Sequence, residues 1–368
     1  MKEYDLAALR HLPDVWQRIQ EENRPLVVYG MGNGADKLFA RLAAIGKQVA
    51  AVFASDGFVR GQSFRSYPVL RFSEIKEKYP DFLILQSFAT RQRDVMENLF
   101  QMAGEYDLVL PDMPVVEGED FDSIFFNAHF EEIQETYDLL EDKLSKQIYF
   151  HSVLYKLTGD IRHLRSAFST EEEDFAPLSA LRIQTAIDGG AYNGDTVRVL
   201  LAYHPETARI FAVEPDPRTY RKLTSFIENA ALSSRVIPIH AALWDKDGEA
   251  FFAASGNRNS SLVSASYEHK TEPTTLTTVD AIAKDTHVDY IKYDLEGAEY
   301  EALVGSLDTI RRDRPALAIS LYHRSADLFR LPLFVRRLGL GYRFYLRRPP
   351  CLPAWELTLY AVPDHACV

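Results

Sequence analysis

The chain is poor in cysteine: among its 368 residues only Cys351 and Cys367 occur, and no Cys-x-x-Cys. A disulfide framework is therefore excluded. Positive charge is also in deficit, with 41 Lys and Arg against 53 Asp and Glu and a formal net charge of −12. Nucleic acid needs a basic face, so it is not an expected partner. The two basic clusters, Arg311-Arg312-Asp313-Arg314 and Arg336-Arg337, read as solvated helix ends. No apolar run approaches the roughly 20 residues of a membrane span. The start, Met1-Lys2-Glu3-Tyr4-Asp5, lacks the basic and apolar regions of a signal peptide. A cytoplasmic protein with no membrane span is expected, long enough for two or three domains.

What the sequence does contain is alternation of strands and helices. Leu26–Tyr29, Val49–Phe53, Phe82–Leu85 and Asp107–Leu110 read as short buried strands, with a helix over 37–45 after the first. Residues 5–22 read as one helix with Leu6, Leu9, Trp16 and Ile19 on one face. This βαβ order predicts a small Rossmann-like α/β domain over 1–118. Gly30-x-Gly32-x-x-Ala35 fits the dinucleotide fingerprint in its alanine form. Asp56 follows at roughly the spacing, about 20 residues, at which that fold sets an acid on a ribose. A tight strand-to-helix turn with no ligand explains the same residues.

A helical connector is expected over 119–180. Phe126, Phe130, Ile133, Tyr137, Leu140, Leu144 and Ile148 step by four and three, forming one apolar stripe. The stripe either packs between two α/β units or forms the coiled-coil seam of a homodimer. Gly159 should end the next helix. The acidic run Glu171-Glu172-Glu173-Asp174, with Pro177, marks the boundary of a third segment, 181–368.

That segment opens on Ala186-Ile187-Asp188-Gly189-Gly190-Ala191-Tyr192-Asn193-Gly194-Asp195-Thr196, a buried strand entering a glycine-rich turn and then a helix. Glycines let a backbone approach a ligand, and the helix start offers free N–H groups. The turn has neither the Gly-x-Gly-x-x-Gly of a pyrophosphate site nor the Gly-Lys-Ser/Thr of a P-loop. The next strand, Ile210–Val213, ends in Glu214 at roughly ribose-binding spacing. Acids at Glu214 and Asp195 repel phosphates but tolerate a cationic nucleoside, which points to S-adenosylmethionine.

The expected cofactor residues are Asp188, Gly189, Gly190, Ala191, Asn193, Gly194, Asp195, Thr196, Glu214, Pro215, Ala241 and Ala242. Asp188 reads equally as a loop anchor, and Asn193 or Asp195 as a helix cap. Ala241 and Ala242 follow the strand Val236–Ile239 and leave room for adenine, with Trp244 either covering the ring or lying in the core. The polar loop Asn257–Ser261 reads as a lid over the acceptor or as plain surface. Asp294 ends the strand of Ile291-Lys292-Tyr293-Asp294-Leu295-Glu296-Gly297-Ala298-Glu299, where open α/β sheets bind ligands. It is a candidate catalytic residue, as a base or as the group that orients the acceptor. Glu296 and Glu299 suit a helix N-terminus. His323 ends the strand Leu317–Leu321 and is the second catalytic candidate, a neutral imidazole that takes a proton from a hydroxyl, or else a structural histidine. Asp294, Glu296 and His323 approximate a metal set, but residues two apart share a face only where the chain turns, and no metal is expected.

In this order the pieces resemble the FkbM-type family of S-adenosylmethionine-dependent methyltransferases. They are Asp188–Thr196, Val213-Glu214-Pro215-Asp216, Asn229, His240-Ala241-Ala242-Leu243, Thr278-Val279-Asp280, Asp289–Glu299 and Ile319-Ser320-Leu321-Tyr322-His323. The resemblance implies a Rossmann-like methyltransferase domain over 181–368, S-adenosylmethionine as cofactor, and methylation of small molecules or sugars, mostly on oxygen. Two other readings remain. One is a non-catalytic module that binds S-adenosylmethionine or a sugar nucleotide. The other is an NAD-dependent oxidoreductase, which rests on Gly30-x-Gly32-x-x-Ala35 alone.

Overall fold

The computed structural model describes residues 4–116, 118–253, 262–263 and 271–364; the Asn257–Ser261 loop lies outside them. The first sheet is built from β1 (Leu26–Tyr29), β2 (Val49–Phe53), β3 (Ser63–Phe64), β4 (Tyr67–Leu70), β5 (Leu83–Gln86) and β6 (Leu108–Val109). Their order is β3-β4-β2-β1-β5-β6, parallel except for the β3–β4 pair. All four residues of β1 and of β5 are buried. Helices cover both faces of a parallel sheet, so its central strands are apolar at nearly every position rather than alternating, with Gln86 at the end of β5 the buried polar exception. One face packs Val27 and Ile84 against Met96 and Leu99, the other packs Val28 and Leu85 against Leu38 and Leu42.

The helix expected over 5–22 is two pieces, a 3-10 helix Leu6–His11 and an α-helix Val15–Glu21. Pro13 forces Leu12 into an extended conformation and ends the first. Asp14 then caps the second, its carboxylate accepting from the N–H groups of Trp16 and Gln17. Leu6, Leu9, Trp16 and Ile19 are buried as the pattern requires.

The connector stripe is likewise split, over helices Ser123–Ala128, Phe130–Leu139 and Lys143–Thr158. Leu140 is extended, and Asp142 caps the last helix through the N–H of Ser145. Phe126, Ile133, Leu140 and Ile148 are buried in one core with Ile187, Tyr293 and Leu317 of the second unit. Facing inward, these residues pack between the two units rather than forming a coiled-coil seam. The helix Lys143–Thr158 also sends Tyr155 into the core of the first sheet, and its Lys156 pairs at 2.7 Å with Asp112, both buried. It ends at Gly159, whose φ of 68° suits a left-handed cap.

The chain continues through β7 (Thr185–Gly189), β8 (Arg209–Val213) and β9 (Val236–Ile239). A side sheet follows, with β10 (Ala242–Leu243), β11 (Gly248–Ala253), β12 (Leu262–Val263) and β13 (Thr271–Thr277) in the order β10-β13-β11-β12. The main sheet then resumes with β14 (Tyr290–Tyr293), β15 (Ala316–Ser320), β16 (Tyr342–Arg347) and β17 (Thr358–Pro363). Its order is β16-β17-β15-β14-β7-β8-β9, and β17 runs antiparallel to both neighbours. From β7 the chain builds outward through β8 and β9, then returns to the other side at β14. This reversal opens a crevice at the carboxyl ends of β7 and β14.

The two units meet beside that crevice. Thr90 and Leu352 exchange backbone hydrogen bonds, and the N–H groups of Val115 and Val116 donate to the His323 carbonyl. Among the described residues, no helix is long and apolar enough to cross a membrane.

Candidate active site

The crevice holds a cavity of about 540 Å³, inside the range of about 300–1,000 Å³ usual for small-molecule sites. The turn after β7 forms its floor. Gly190 has a φ of +73°, and a Cβ there would lie 1.9 Å from the Asp294 carbonyl oxygen. Only glycine lets the two strand ends approach so closely. Gly190→Ala should therefore cost about 2 kcal/mol or more of stability, measured by denaturant unfolding; a variant as stable as wild type would show that this approach is not required.

Of the expected cofactor residues, Asp188, Gly190, Asp195, Thr196, Glu214, Pro215, Ala241 and Ala242 line the cavity. Gly189, Ala191, Asn193 and Gly194 are not among the lining residues, and for three of them packing explains the residue type. A Cβ on Gly189 would meet Leu243 and the Lys292 carbonyl, and one on Gly194 would meet the Phe226 ring. Ala191 is fully buried in the core under the turn.

Glu214 directly follows β8 and is buried at the cavity wall. Its Oε2 accepts from the Tyr192 N–H and its Oε1 from the Asp216 N–H, both at 2.9 Å. Each oxygen keeps acceptor capacity for a further donor. Burial pushes the carboxyl up to about 7, against the two backbone bonds that favour the anion.

Asp188 is also buried, and its Oδ2 accepts from the Thr196 hydroxyl. Burial raises its carboxyl, and the ammonium of Lys292, 3.3 Å from Oδ1, offsets part of that. Lys292 donates to the carbonyls of Gly189 and Gly190 and lies 3.8 Å from Asp294. Burial works against its charge, but Asp188 and then Asp294 outweigh burial and hold the ammonium above its ordinary value. The pair fixes the turn from beneath.

Asp294 lines the cavity and is partly open, with 30% of its side chain exposed. Its Oδ1 accepts from the Tyr322 hydroxyl at 3.0 Å. Burial tends to raise its carboxyl, yet Lys292, then His323, with bonds from Ser320 and Tyr322, hold it below the usual carboxylate range. It is therefore an anion ready to accept a hydrogen bond from a bound ligand.

His323 corrects the expectation of a neutral base. It is fully buried, absent from the cavity wall, and ringed by Glu299 at 2.9 Å, Glu296 at 3.5 Å and Asp294 at 3.6 Å. Burial favours the neutral ring, but Glu299 foremost and then the other two push it up to about 10. An imidazolium holds its proton at neutral pH and cannot accept one.

Sequence patterns near the turn do not reveal the cavity's outer wall. Arg91 comes from the first unit, Phe175 and Leu178 from the connector, and Glu356 and Tyr360 from the chain end, with Arg91 paired to Glu356. Only tertiary packing brings these segments together. At the first unit's own glycine turn, Gly34 is packed so that a Cβ would meet the Ser87 carbonyl at 2.0 Å. The recess beside it measures about 240 Å³ and is not lined by Asp56, which is exposed. The residues of the dinucleotide fingerprint are thus not assembled into one site with that acid.

Residues 188–344 match the family model described as the methyltransferase FkbM domain. No curated protein matches the chain. Among solved structures, methyltransferase FkbM from Methylobacillus flagellatus KT aligns with a TM-score of 0.72 at 18% identity, covering 97% of this chain and 96% of that one. The likeness is one of fold over nearly the whole length, first unit included. An rRNA methylase from Streptococcus thermophilus aligns at TM-score 0.33 and 11% identity, over 52% of this chain and 93% of that one. Aeropyrum pernix fibrillarin with bound S-adenosyl-L-methionine aligns at TM-score 0.31 and 16% identity, over 50% and 68%.

Proposed function

We propose, from a chain whose residues 188–344 carry a methyltransferase FkbM domain, that the protein transfers a methyl group from S-adenosylmethionine to a hydroxyl oxygen of a small molecule or sugar. The observation that carries this reading is one cavity lined by both the glycine turn with Glu214 and the partly open carboxylate Asp294. Glu214 accepts the ribose hydroxyls, the small side chains of Ala241 and Ala242 leave room for adenine, and the turn 190–196 holds the methionine end. The division into 1–118, 119–180 and 181–368 belongs to the same reading, with the first unit and connector closing the acceptor side through Arg91 and Phe175.

The reaction needs alignment more than activation, because sulfonium is already a good leaving group. The acceptor oxygen donates its hydroxyl hydrogen bond to Asp294, which turns a lone pair toward the methyl carbon. The C–O bond forms as the C–S bond breaks, and the bonding pair stays on sulfur. The hydroxyl proton becomes strongly acidic only as the C–O bond forms, so a weakly basic carboxylate suffices to receive it before it passes to water.

Incubating the protein with methyl-labelled S-adenosylmethionine and fractionated metabolites tests the assignment. Label recovered in a methyl ether supports it; label found only on nitrogen or carbon contradicts oxygen as the acceptor atom.

The raised Glu214 carboxyl gives a pH signature. In the free protein it titrates near 7. Two ribose hydroxyls donating to the anion lower that value in the complex, so binding expels a proton between the two values. Cofactor affinity should rise with pH up to about 7 and level off above it. Calorimetric titrations from pH 5.5 to 8.5 measure this, and an affinity flat across that range would remove Glu214 from the ribose.

A further inference from the structure

Beyond β14 the backbone bends sharply, with Glu296 at φ 51° and Gly297 at φ 97°. The helix Glu299–Val304 begins directly after the bend, so Glu299 comes to lie beside Asp294, and the end of β15 brings His323 against both. Glu299 is 1% exposed and His323 is 0% exposed. The imidazole lies 2.9–3.6 Å from three carboxylates, with its Nδ1 paired to Glu299 Oε1, yet the buried Glu299 Oε2 has no hydrogen-bond partner. Buried polar atoms without partners are rare and call for a cause. One donor atom each from Asp294, Glu299 and His323 falls within 4.8 Å of the others, close to the span of ligands gathered at about 2.1 Å around one small ion.

We propose that Asp294, Glu299 and His323 form a divalent-cation site that opens onto the acceptor side of the cavity. The ion would take the place of the proton that the three carboxylates hold on the ring, which leaves to water as the metal binds; one imidazole with two carboxylates suits a first-row ion such as manganese(II), iron(II) or zinc better than calcium. Glu299 is preset for the role, since its Oε1 accepts from the Leu295 N–H at 2.6 Å and its other oxygen is left to the ion. Asp294 is oriented by the Tyr322 hydroxyl, the kind of outer bond that aims a metal ligand. Asp294 also lines the cavity, so an ion there would meet the acceptor oxygen and make its hydroxyl more acidic, the proton leaving to water. That last consequence rests on the methyl-transfer reading; the cation site itself does not.

Manganese(II) is the probe. The full chain, stripped with a chelator and free of cofactor and acceptor, is titrated with manganese(II) and followed by electron paramagnetic resonance. One ion should bind per chain, with nitrogen coupling from a coordinated imidazole. Glu299→Gln keeps the oxygen that Leu295 bonds but loses the charge, and should weaken binding about tenfold or more. His323→Gln should remove the nitrogen coupling. Absence of binding up to about 1 mM, the weak limit for protein cation sites, overturns the proposal. So does equal binding by wild type and both variants. Should the variants fail to fold, the wild-type spectrum decides, because bound manganese(II) without nitrogen coupling also overturns it. The readout uses neither cofactor nor acceptor, so failure here leaves methyl transfer standing, and failure of methyl transfer leaves the cation site standing.

Discussion

Asp294→Asn should reduce turnover by about 10²-fold or more while S-adenosylmethionine affinity changes little. The substitution keeps the shape that the Tyr322 hydroxyl bonds and removes the charge that accepts the acceptor's hydrogen bond. A fall in kcat without a matching rise in KM would mark an interaction made mainly in the transition state. Near-normal turnover would mean that another group aligns the acceptor. His323 does not line the cavity, and the three carboxylates around it favour the protonated ring over the neutral one that a base needs. His323→Ala is a poor control for the same reason: it buries Glu299 without its counter-charge and should cost about 3–5 kcal/mol of stability.

Glu214→Ala should weaken S-adenosylmethionine binding by about 1.5–3 kcal/mol, the cost of losing a charge-assisted bond to a ligand. It should also lower the melting temperature, because the N–H groups of Tyr192 and Asp216 lose their acceptor. Tyr192 stands in left-handed backbone at φ 48°, a conformation that persists only where its surroundings enforce it. Glu214→Gln separates the two effects, since an amide oxygen can still serve one of those N–H groups. Affinity should fall in both variants and stability mainly in the alanine one. Calorimetry and thermal melts on the three proteins measure this; unchanged affinity in a folded Glu214→Ala protein would remove Glu214 from the cofactor.

Strands such as Leu26–Tyr29 and Ile210–Val213 were legible because a parallel strand buried on both faces is apolar at every position. The glycine turn was legible because its requirement is local: Gly190 and Gly194 adopt positive φ within one turn. The helix over 5–22 failed on one residue, Pro13, whose effect is also local and outweighs the apolar spacing on either side. The connector stripe kept its spacing across the break at Leu140, because burial against a neighbouring sheet does not require an unbroken helix. His323 follows the end of β15 by three residues, near where the sequence puts it, but its charge depends on three carboxylates that the bend at Glu296 and Gly297 gathers. No spacing rule encodes that convergence. Arg91, Phe175 and Glu356 enter the cavity wall from three distant segments, and nothing local to any of them marks it.

The most direct test of the account is calorimetric titration of the full chain with S-adenosylmethionine, S-adenosylhomocysteine and NAD⁺ in parallel. The account predicts one S-adenosylmethionine site per chain with a Kd on the order of micromolar, about −8 kcal/mol, competition by S-adenosylhomocysteine, and no heat from NAD⁺. Binding of NAD⁺ with no binding of S-adenosylmethionine would contradict it.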